Sequence, residues 1–476
     1  MITNLKPYAA YKDSGVPWLG QVPEHWEVLP GRAVFREIND RGHPDEQMLS
    51  VTITRGVLRQ ADLLADSSKK DSSNEDKSNY KLVQPGDLVY NKMRAWQGAV
   101  GVSAYRGIVS PAYIVQRLRS AENLPRYTHF LLRTPLFTSE AEQWSYGITS
   151  DQWSLRAEEF KCIYFSLPPL PEQTAIVRFL DWAERRIRRV IRARQRRIKL
   201  LEEYKQVLIH RTVTGQIDVR TGRPYPAYKP SGVPWLGEIP AHWEVRRLKT
   251  VVDHINEQTS TKNDEDLYIA LEHVESWTGR LLVPSREAQF DSQVKRFRAG
   301  DVLFGKLRPY LAKVVRPKQN GVCVSEFFVL RARSVVAPHY LEVVLRSAPA
   351  IDFVNSSTYG AKMPRADWTF VGAMLFPLPP LPEQSAIVEY LDAQTAKINA
   401  AIAAARREID LLREYRTRLI ADVVTGKVDV REVAAQLPEE LPEEEAELMD
   451  ADEIAEGEAT DDDAAAEALS EEEVEP

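Results

Sequence analysis

The sequence has few cysteines and lacks long apolar runs. Cys162 and Cys323 are its only cysteines among 476 residues. Without paired spacing they argue against a zinc site and a disulfide framework, so we expect two buried, inert thiols. No stretch of about 18 apolar residues could span a membrane, and Lys6-Pro7 stands where a secretory signal needs an apolar core. We therefore expect a cytoplasmic protein with no membrane contact.

Motifs for catalysis are missing as well. There is no GxxxxGK[ST] phosphate loop, no glycine-rich strand-to-helix turn for a nucleotide cofactor, and no Asn-Pro-Pro-aromatic segment of the amino-methyltransferase kind. Glu203-Tyr204-Lys205 has the Glu-x-Lys form found in nucleases, but no Pro-Asp partner lies nearby. The sequence thus predicts no catalytic residue, no metal site and no cofactor bound by this chain.

The C-terminal segment differs in charge from the rest of the chain. Residues 437–476 hold 19 Asp or Glu and no Lys or Arg, and they account for the formal net charge of -7. The remaining 62 basic and 50 acidic residues give residues 1–436 a charge of about +12. A segment so acidic cannot bury enough apolar surface to offset its ordering entropy, so we expect a disordered tail. It could aid solubility or compete with DNA for the basic surface.

The rest of the chain is a duplication. YKDSGVPWLGQVPEHWEV at residues 11–28 recurs as YKPSGVPWLGEIPAHWEV at 228–245, and LPPLPEQ at 167–173 recurs at 378–384. Each copy also closes alike, with Thr-Gly and then Asp-Val-Arg at 214–220 and at 425–431. The ends match strongly and the middles poorly. One scaffold therefore carries two different central segments, each copy spanning about 215 residues.

The first part of each copy is predicted to be strand-rich. Short apolar runs alternate with Gly, Pro, Asn and Ser, as in DLVY at 87–90, GIVSPAYIV at 107–115, DVLF at 301–304 and VCVSEFFVL at 322–330. The polar insert at residues 65–79 predicts a mobile loop that the second copy lacks.

The second part of each copy predicts a long helix. Pro171 and Pro382 suit a first helical turn, Glu172 and Glu383 complement the helix dipole, and Gly215 and Gly426 are stop signals. We expect the two helices to form an intramolecular antiparallel coiled coil with a pseudo-two-fold relation, one globular domain near each end. The predicted seam repeats at spacings of three and four: Ile176, Leu180, Ile187, Val190, Ile198, Leu201, Tyr204, Leu208, Ile387, Leu391, Ile398, Ile409, Leu412 and Leu419.

Two histidines match between the copies. His25 and His242 stand beside Trp26 and Trp243 in EHWE and AHWE. Such a pair could be a general base, but repetition beside a tryptophan favours a packed structural corner. Trp18 and Trp235 are expected in the same corners.

Paired cations are the strongest signal for nucleic-acid binding. GDLVYNKMR at 86–94 parallels GDVLFGKLR at 300–308, and on a strand two cations at i and i+2 would project together with Met93 pointing inward. Next to an aromatic, such a pair suits phosphates or guanine edges, although a solvated strand end would look the same. The candidate contacts are Lys92, Arg94, Trp96, Lys306, Arg308, Tyr310, Arg55, Arg59, Lys69, Lys70, Lys362 and Arg365, with Lys295, Arg296 and Arg298 as further basic residues.

The first long helix is unusually basic. Residues 178–199 carry ten basic side chains against Asp181 and Glu184, and the second helix is much less basic. The asymmetry is compatible with an ordinary solvated face, with a surface for DNA phosphates or with one for an acidic partner.

On these motifs, the sequence resembles the specificity (S) subunit of type I restriction–modification systems. The motifs that support the resemblance are SGVPWLGxVPxHWEV, PGDLVYNKMR, GIVSPAYIV and LPPLPEQxAIVxxLD leading into a long helix. The resemblance covers nearly all of residues 11–431 and ends at the acidic tail. It implies an α+β fold with two globular mixed α/β target recognition domains in tandem. The implied divisions are recognition domains at 1–167 and 217–378, spacer helices at 168–216 and 379–431, and a tail at 432–476.

The resemblance also implies a non-catalytic subunit. Each recognition domain would read one half of a bipartite site on double-stranded DNA, and the helices would set the spacing. Two methyltransferase (M) subunits using S-adenosylmethionine and two restriction (R) subunits using ATP and magnesium would be the partners. A self-sufficient restriction or methylation enzyme, and a coiled-coil adaptor whose heads bind protein, are the alternatives.

Overall fold

The computed structural model describes residues 5–65, 76–147, 153–261, 263, 265–282, 293–358 and 363–438. Within them the chain divides into two compact units: unit 1 comprises Met1–Arg192 with Ile409–Pro476, and unit 2 comprises Ala193–Glu408. Unit 1 is therefore built from two separate stretches of chain, and unit 2 from one. The disordered tail predicted at 432–476 begins too early, because Arg431–Ala435 form a helix in which Ala434 is buried. The tail beyond residue 438 and residues 66–75 of the polar insert lie outside the described residues.

Twelve strands are assigned in the first copy of the repeat over the residues described. They are β1 (Tyr11–Asp13), β2 (Gln21–Pro23), β3 (Glu27–Pro30), β4 (Phe35–Ile38), β5 (Leu49–Thr52), β6 (Gly56–Arg59), β7 (Lys81–Val83), β8 (Leu88–Asn91), β9 (Val100–Val102), β10 (Gly107–Val109), β11 (Tyr113–Leu118) and β12 (Tyr164–Leu167). The helices are α1 (Gly31–Val34), α2 (Gln60–Ala65), α3 (Pro125–Leu132), α4 (Pro135–Gln143), α5 (Ala157–Phe160) and the long α6 (Leu170–Val213).

The second copy repeats this order. Its strands are β13 (Tyr228–Pro230), β14 (Glu238–Pro240), β15 (Glu244–Arg247), β16 (Val252–Ile255), β17 (Gln258–Thr259), β18 (Leu267–Ile269), β19 (Val294–Phe297), β20 (Val302–Gly305), β21 (Val314–Val315), β22 (Gly321–Val324), β23 (Phe327–Ala332) and β24 (Leu375–Leu378). The helices are α7 (Leu248–Val251), α8 (Pro338–Leu345), α9 (Ala348–Asn355), α10 (Trp368–Ala373), the long α11 (Leu381–Val424) and α12 (Arg431–Ala435).

A four-stranded antiparallel sheet lies at the centre of unit 1, in the order β4-β11-β8-β9. Its inner strands, β8 and β11, are mainly apolar and buried because both faces of the sheet are covered there. Tyr90 and Ile114 belong to one buried cluster, while Val89 and Val115, which are paired in register, belong to another. Side chains that alternate along a strand therefore all enter a core, which explains the unbroken apolar runs in the sequence.

Unit 2 has the equivalent sheet, in the order β16-β23-β20-β21. Phe304 and Leu330 point to one cluster, and Leu303 and Val329 to the other. Next to it lies a second four-stranded sheet, β17-β19-β22-β18, in which β18 is parallel to β22. The two units thus share the central sheet and differ in the strands that accompany it, as expected of a common scaffold with divergent middles.

Two apolar runs in the sequence prove to be two strands each. GIVSPAYIV divides into β10 and β11, and VCVSEFFVL into β22 and β23. In the first run Pro111 has no N–H for a strand ladder, and the amide of Tyr113 instead bonds to the carbonyl of Ser110 in a turn. The separate strands pair with different neighbours, so each run supplies two sheets.

Both long helices are continuous over 44 residues, or about 66 Å each. Each has its proline in the first turn, where a missing N–H costs nothing. Each is followed by a glycine with left-handed backbone, Gly215 (φ 75°) and Gly426 (φ 78°). The amide of Gln216 bonds to the carbonyl of Arg211, which closes the helix end.

The two helices run antiparallel in the part that each unit contains. In unit 2, Arg194 pairs with Glu408 at 2.8 Å, and Lys205 donates to the amide oxygen of Asn399 at 3.0 Å, so the numbers rise on one helix as they fall on the other. In unit 1 a cross-helix ion pair joins Glu184 to Arg416 at 2.7 Å.

The apolar side chains of the predicted seam divide into three groups. Those that are buried are Ile176, Leu180, Ile187, Leu208, Ile387, Leu391, Ile398, Ile409 and Leu419. Ile198, Leu201 and Leu412 are half-buried. Val190 and Tyr204 are exposed, contrary to the prediction, while Ile191 and Ile402 are buried. The seam is thus displaced by one residue at Val190, because the 3.6-residue turn of a helix drifts against a fixed spacing.

A buried carboxylate organises the corner that the repeated HW motif predicted. Glu172 on α6 accepts from the hydroxyl of Tyr8 (2.5 Å) and the indole of Trp26 (2.9 Å), and lies 2.8 Å from Nε2 of His25. Glu383 on α11 makes the same contacts with Tyr225, Trp243 (3.0 Å) and His242 (2.8 Å). Trp26 and Trp243 are fully buried, whereas Trp18 and Trp235 are half-buried. His25 and His242 are therefore part of packed structural corners.

The cysteines differ in their surroundings. Cys323 is buried on β22, and burial raises the pKa of its thiol to about 12. Cys162 is only half-buried, because it lies in the turn after α5, where its thiol donates to the carbonyl of Glu158. The prediction of a buried thiol is therefore wrong for Cys162. Over the residues described, no helix is both long and apolar enough to cross a bilayer.

Candidate nucleic-acid interface

In unit 1 the predicted cation pair lies in a turn directly after the central strand β8. The strand ends at Asn91, whose side-chain oxygen accepts from the amide of Met93 (2.9 Å) and whose carbonyl accepts from that of Arg94 (3.1 Å). Such an asparagine turn competes with the strand ladder and ends it. The expectation that Lys92 and Arg94 share one strand face is thus wrong, since both belong to the turn.

The equivalent turn of unit 2 is fixed by different bonds. Strand β20 ends at Gly305, after which the amide of Lys306 donates to the carbonyl of Glu326 (2.9 Å) and that of Arg308 to the carbonyl of Pro364 (2.8 Å). Arg308 has a left-handed backbone with φ 51° and an exposed side chain. Both units therefore present a lysine and an arginine at the same end of the central sheet, on separately shaped turns.

The aromatic residue beside each turn has a different role in the two units. Trp96 is half-buried, packs edge-on against Trp153 (5.5 Å between ring centroids), and donates from its indole to the carbonyl of Met93. It thereby locks the turn. Tyr310 is 44% exposed, so its ring is free to stack on a base or a sugar.

A buried lysine lies beneath each turn. Lys81 on β7 donates to the carbonyl of Tyr113 (2.7 Å), and Lys295 on β19 to the carbonyl of Phe327 (2.9 Å). Burial lowers the pKa of both amines, and the neighbouring charges of Lys92 and Lys306 lower it further. The lowering by Lys92 and Lys306 shows that each buried amine lies close to the cation of the turn above it.

Lys81 was missed by the sequence reasoning, although Lys295 was singled out. The two lysines are separated by 214 positions, as are Lys92 and Lys306. Aligning the copies on the cation pairs, rather than on the longer flanking motifs, would have found it.

An ion pair with a buried carboxylate supports the strand that leads to each turn. Asp87 pairs in bidentate fashion with Arg117 (2.6 and 2.7 Å), and Asp301 with Arg331 (2.8 and 2.6 Å). The same carboxylates accept from the amides of Gln84 and Arg298, which holds the preceding Gly-Asp turn. The repeated Gly-Asp motif is thus an anchor for the sheet and positions the cations that follow it.

The remaining candidates are scattered or engaged. Arg59 lies over the ring of Tyr105 at 4.7 Å, and Arg365 pairs with Glu326 at 3.2 Å. Arg55 is half-buried in the turn after β5. Lys69, Lys70 and Lys362 lie outside the described residues. Over the part of the chain that is described, no three His, Cys, Asp or Glu side chains are grouped so as to hold a metal ion.

Comparisons with known proteins agree on one family. Residues 42–199 match the family described as type I restriction modification DNA specificity domain. The chain is 24% identical over 270 residues to the EcoDI type I restriction enzyme specificity subunit of Escherichia coli, covering 52% of this chain and 60% of that relative. It is 22% identical over 447 residues to the putative MjaX specificity subunit of Methanocaldococcus jannaschii, covering 87% and 96%.

A solved structure has the same fold. It comes from work described as the structural basis underlying complex assembly and conformational transition of the type I R-M system. The superposition has a TM-score of 0.63 at 18% identity and covers 85% of this chain and 98% of that one. At this identity the similarity shows the fold alone.

Proposed function

Taking as the premise that this chain carries a type I DNA specificity domain and resembles type I specificity subunits over most of its length, we propose that it selects the DNA sequence for a type I restriction–modification complex. Such a subunit is non-catalytic. Each globular domain, 1–167 and 217–378, binds one half of a bipartite site on double-stranded DNA.

One observation carries the DNA-binding assignment. Both units place a lysine and an arginine after the central strand, above a buried lysine, but on turns of different shape. Shared cations suit the phosphates, which are the same at every site, and divergent turns suit base edges, which differ between half-sites. Lys92, Arg94 and Trp96, and Lys306, Arg308 and Tyr310, are the contacts that we propose first.

The long helices, within 168–216 and 379–431, set the distance between the two half-sites and dock the partners. Two continuous helices of 44 residues favour this role, since a helix transmits length at about 1.5 Å per residue. The partners are two methyltransferase subunits, which hold S-adenosylmethionine, and two restriction subunits, which hold ATP and magnesium. The complex works in the cytoplasm.

The test is to co-express the chain with its methyltransferase subunit and to map methylated adenines across the host genome. We expect a motif of two read halves around an unread spacer of fixed length. Exchanging residues 1–167 for those of another subunit should change one half only, and the matched exchange of 217–378 should change the other. A stable complex that methylates nothing would contradict DNA recognition and favour the adaptor alternative.

A separate experiment tests the helices. Matched insertions of one heptad in both helices should lengthen the spacer and leave the bases in both halves unchanged. An unaltered spacer in an active variant would refute the role in spacing.

A further inference from the structure

Unit 1 contains a cavity of about 310 Å³ lined by arginines. Its lining includes Arg55, Arg126, Arg133, Arg188, Arg413 and Arg416, and we call it the arginine cavity. Six guanidinium groups around one small space repel one another unless anions balance them.

One carboxylate provides the only negative charge in the lining. Glu184 is buried and lies 2.7 Å from Arg416, 3.4 Å from Arg188 and 4.0 Å from Arg126. Burial by itself would raise its pKa, but the guanidinium groups of Arg416 and Arg188 outweigh this, so the pKa is lowered and the group stays ionised.

Arg126 also pairs with Asp181 at 2.9 Å, whereas Arg413 contributes positive charge that Glu184 does not balance. Arg133 donates to backbone carbonyls, including that of Val100 (2.7 Å). Arg413 is exposed, and none of the described carboxylates pairs with it. The arginine cavity therefore has a net positive charge and open access from solvent.

Unit 2 does not repeat this arrangement. The equivalent positions are found by aligning α3 with α8 and the two long helices with each other. On the short helices, Arg126, His129 and Arg133 correspond to His339, Glu342 and Arg346. On the long helices, Glu184, Arg188, Arg413 and Arg416 correspond to Thr395, Asn399, Glu202 and Lys205. With neutral histidines, the first set has a formal charge of +4 and the second of zero. In unit 2, Glu342 pairs with Arg346 (2.8 Å) and Arg316 (3.2 Å), so little charge is left over.

The acidic segment of the chain begins at the same unit. Helix α12 packs in the core of unit 1 through Ala434, and the guanidinium of Arg178 on α6 donates to the carbonyl of Leu437. Arg178 precedes Glu184 by six residues, or about 9 Å along the helix. The 39 residues from 438 to 476 can span about 35 Å even as a relaxed coil, so the arginine cavity is within reach.

We propose that the acidic segment 438–476 docks by its carboxylates on the arginine cavity. The acidic segment occurs once in the sequence and continues from unit 1, which also contains the arginine cavity. A phosphate site would be needed in both units under the proposed function, whereas the aligned positions described in unit 2 have no net formal charge. The docked carboxylates repel DNA phosphates from unit 1, which makes DNA binding by that unit weaker than by unit 2; this last step rests on the proposed function.

The direct test uses no DNA. A fluorescent peptide of residues 438–476 is titrated into the chain shortened to 1–437 and into the full chain, with anisotropy as the readout. We expect saturable binding to the shortened chain, at least tenfold weaker binding to the full chain, and a steep loss of affinity with added salt. No saturable binding, or equal binding to both chains, would overturn the proposal.

Charge reversal locates the site. Arg413→Glu in the shortened chain should weaken peptide binding at least fivefold, and Arg413→Gln should weaken it less. The matched control is Arg407→Glu, an exposed arginine on the same helix in unit 2, which should have no effect. Equal losses in the Glu variants would mean that the peptide responds to overall charge only, and would overturn the site.

DNA affinity in the complex with the methyltransferase subunit separates this inference from the proposed function. The shortened chain should bind DNA about five- to tenfold more tightly than the full chain at low salt, and Arg413→Glu in the full chain should recover most of that gain. If Arg413→Glu instead weakened DNA binding by the shortened chain, the arginine cavity would be a phosphate site and the docking proposal would be wrong. Peptide binding without any DNA binding would support docking and contradict the proposed function.

Discussion

The indole of Trp26 donates to the buried carboxylate of Glu172 across 146 positions of sequence, at 2.9 Å. The bond joins the N-terminal corner of unit 1 to the first turn of α6, and Trp243 makes the same bond to Glu383 in unit 2 at 3.0 Å. In each unit, this carboxylate links the globular domain to the long helix by accepting hydrogen bonds from a tyrosine and a tryptophan.

Removing this carboxylate should destabilise one unit. Glu172→Ala leaves Tyr8 and Trp26 buried without an acceptor, and we expect a loss of about 3 kcal/mol in the free energy of unfolding of unit 1. Calorimetry should show one transition shifted down, and Glu383→Ala should shift the other. Glu389→Ala, at an exposed position of α11, is the control and should change stability by less than about 0.5 kcal/mol. Equal stability of the Glu172 and Glu389 variants would show that the buried bonds contribute nothing.

The glycine that ends the second long helix should not tolerate a side chain. At Gly426, with φ 78°, a Cβ would overlap Cδ of Pro23, and we expect Gly426→Ala to cost about 2–4 kcal/mol from backbone strain and overpacking together. Gly15, with φ 70° and no atom within 4 Å of a Cβ, isolates the strain, so Gly15→Ala should cost about 1 kcal/mol. Urea unfolding measures both. If the two variants were equally stable, the contact with Pro23 would be unimportant.

Stability of unit 1 should fall in acid through Glu184. The pKa of Glu184 in the folded protein lies below the unfolded value of 4.5, so between these two pKa values the unfolded chain binds more protons. The stabilisation by Glu184 is therefore present above the unfolded pKa and is lost as the pH falls through the folded pKa. Glu184→Gln should therefore be less stable than the parent at pH 7 and approach it in acid. Melting temperatures from about pH 3 to 7 test this. A constant difference between the two proteins over that range would contradict the assignment.

The cation turn should contribute to DNA affinity in a salt-dependent way. Lys92→Ala combined with Arg94→Ala should weaken binding by the assembled complex and reduce the slope of log affinity against log salt by about 1–2, because up to two phosphate contacts are lost. Lys397→Ala, exposed on α11, is the control. A weakened complex with an unchanged slope would mean that these residues read bases and not phosphates.

The scaffold was predictable because its motifs occur twice in the sequence. The matching ends of the repeat predicted two copies and two long helices, and the prolines and glycines gave both ends of each helix. The partners of Glu172 could not be predicted. Its position in a first helical turn suggested the helix dipole, whereas its hydrogen bonds come from Tyr8 and Trp26, more than 140 positions earlier. Spacing in sequence has no information about such contacts.

The candidate site was predicted in composition but not in geometry. The pairing of Lys92 with Arg94 was read from strand alternation, and Asn91 overrides that alternation by bonding to the backbone of the turn. The buried position of Lys81 was not predicted, because the sequence pattern around a lysine is the same whether its amine contacts water or the carbonyl of Tyr113. In both cases, hydrogen bonds to the backbone determine where the side chains lie.

The division of the chain has a consequence for synthesis on the ribosome. Residues 193–408 supply all of unit 2, which can fold as soon as they have emerged. Unit 1 begins first but must wait, because its core includes Leu419, Val423 and Val424 from the end of α11. The domain translated first is thus completed last, and a nascent chain stopped near residue 408 would expose the apolar surface that those three side chains cover, to chaperones and to neighbouring copies alike.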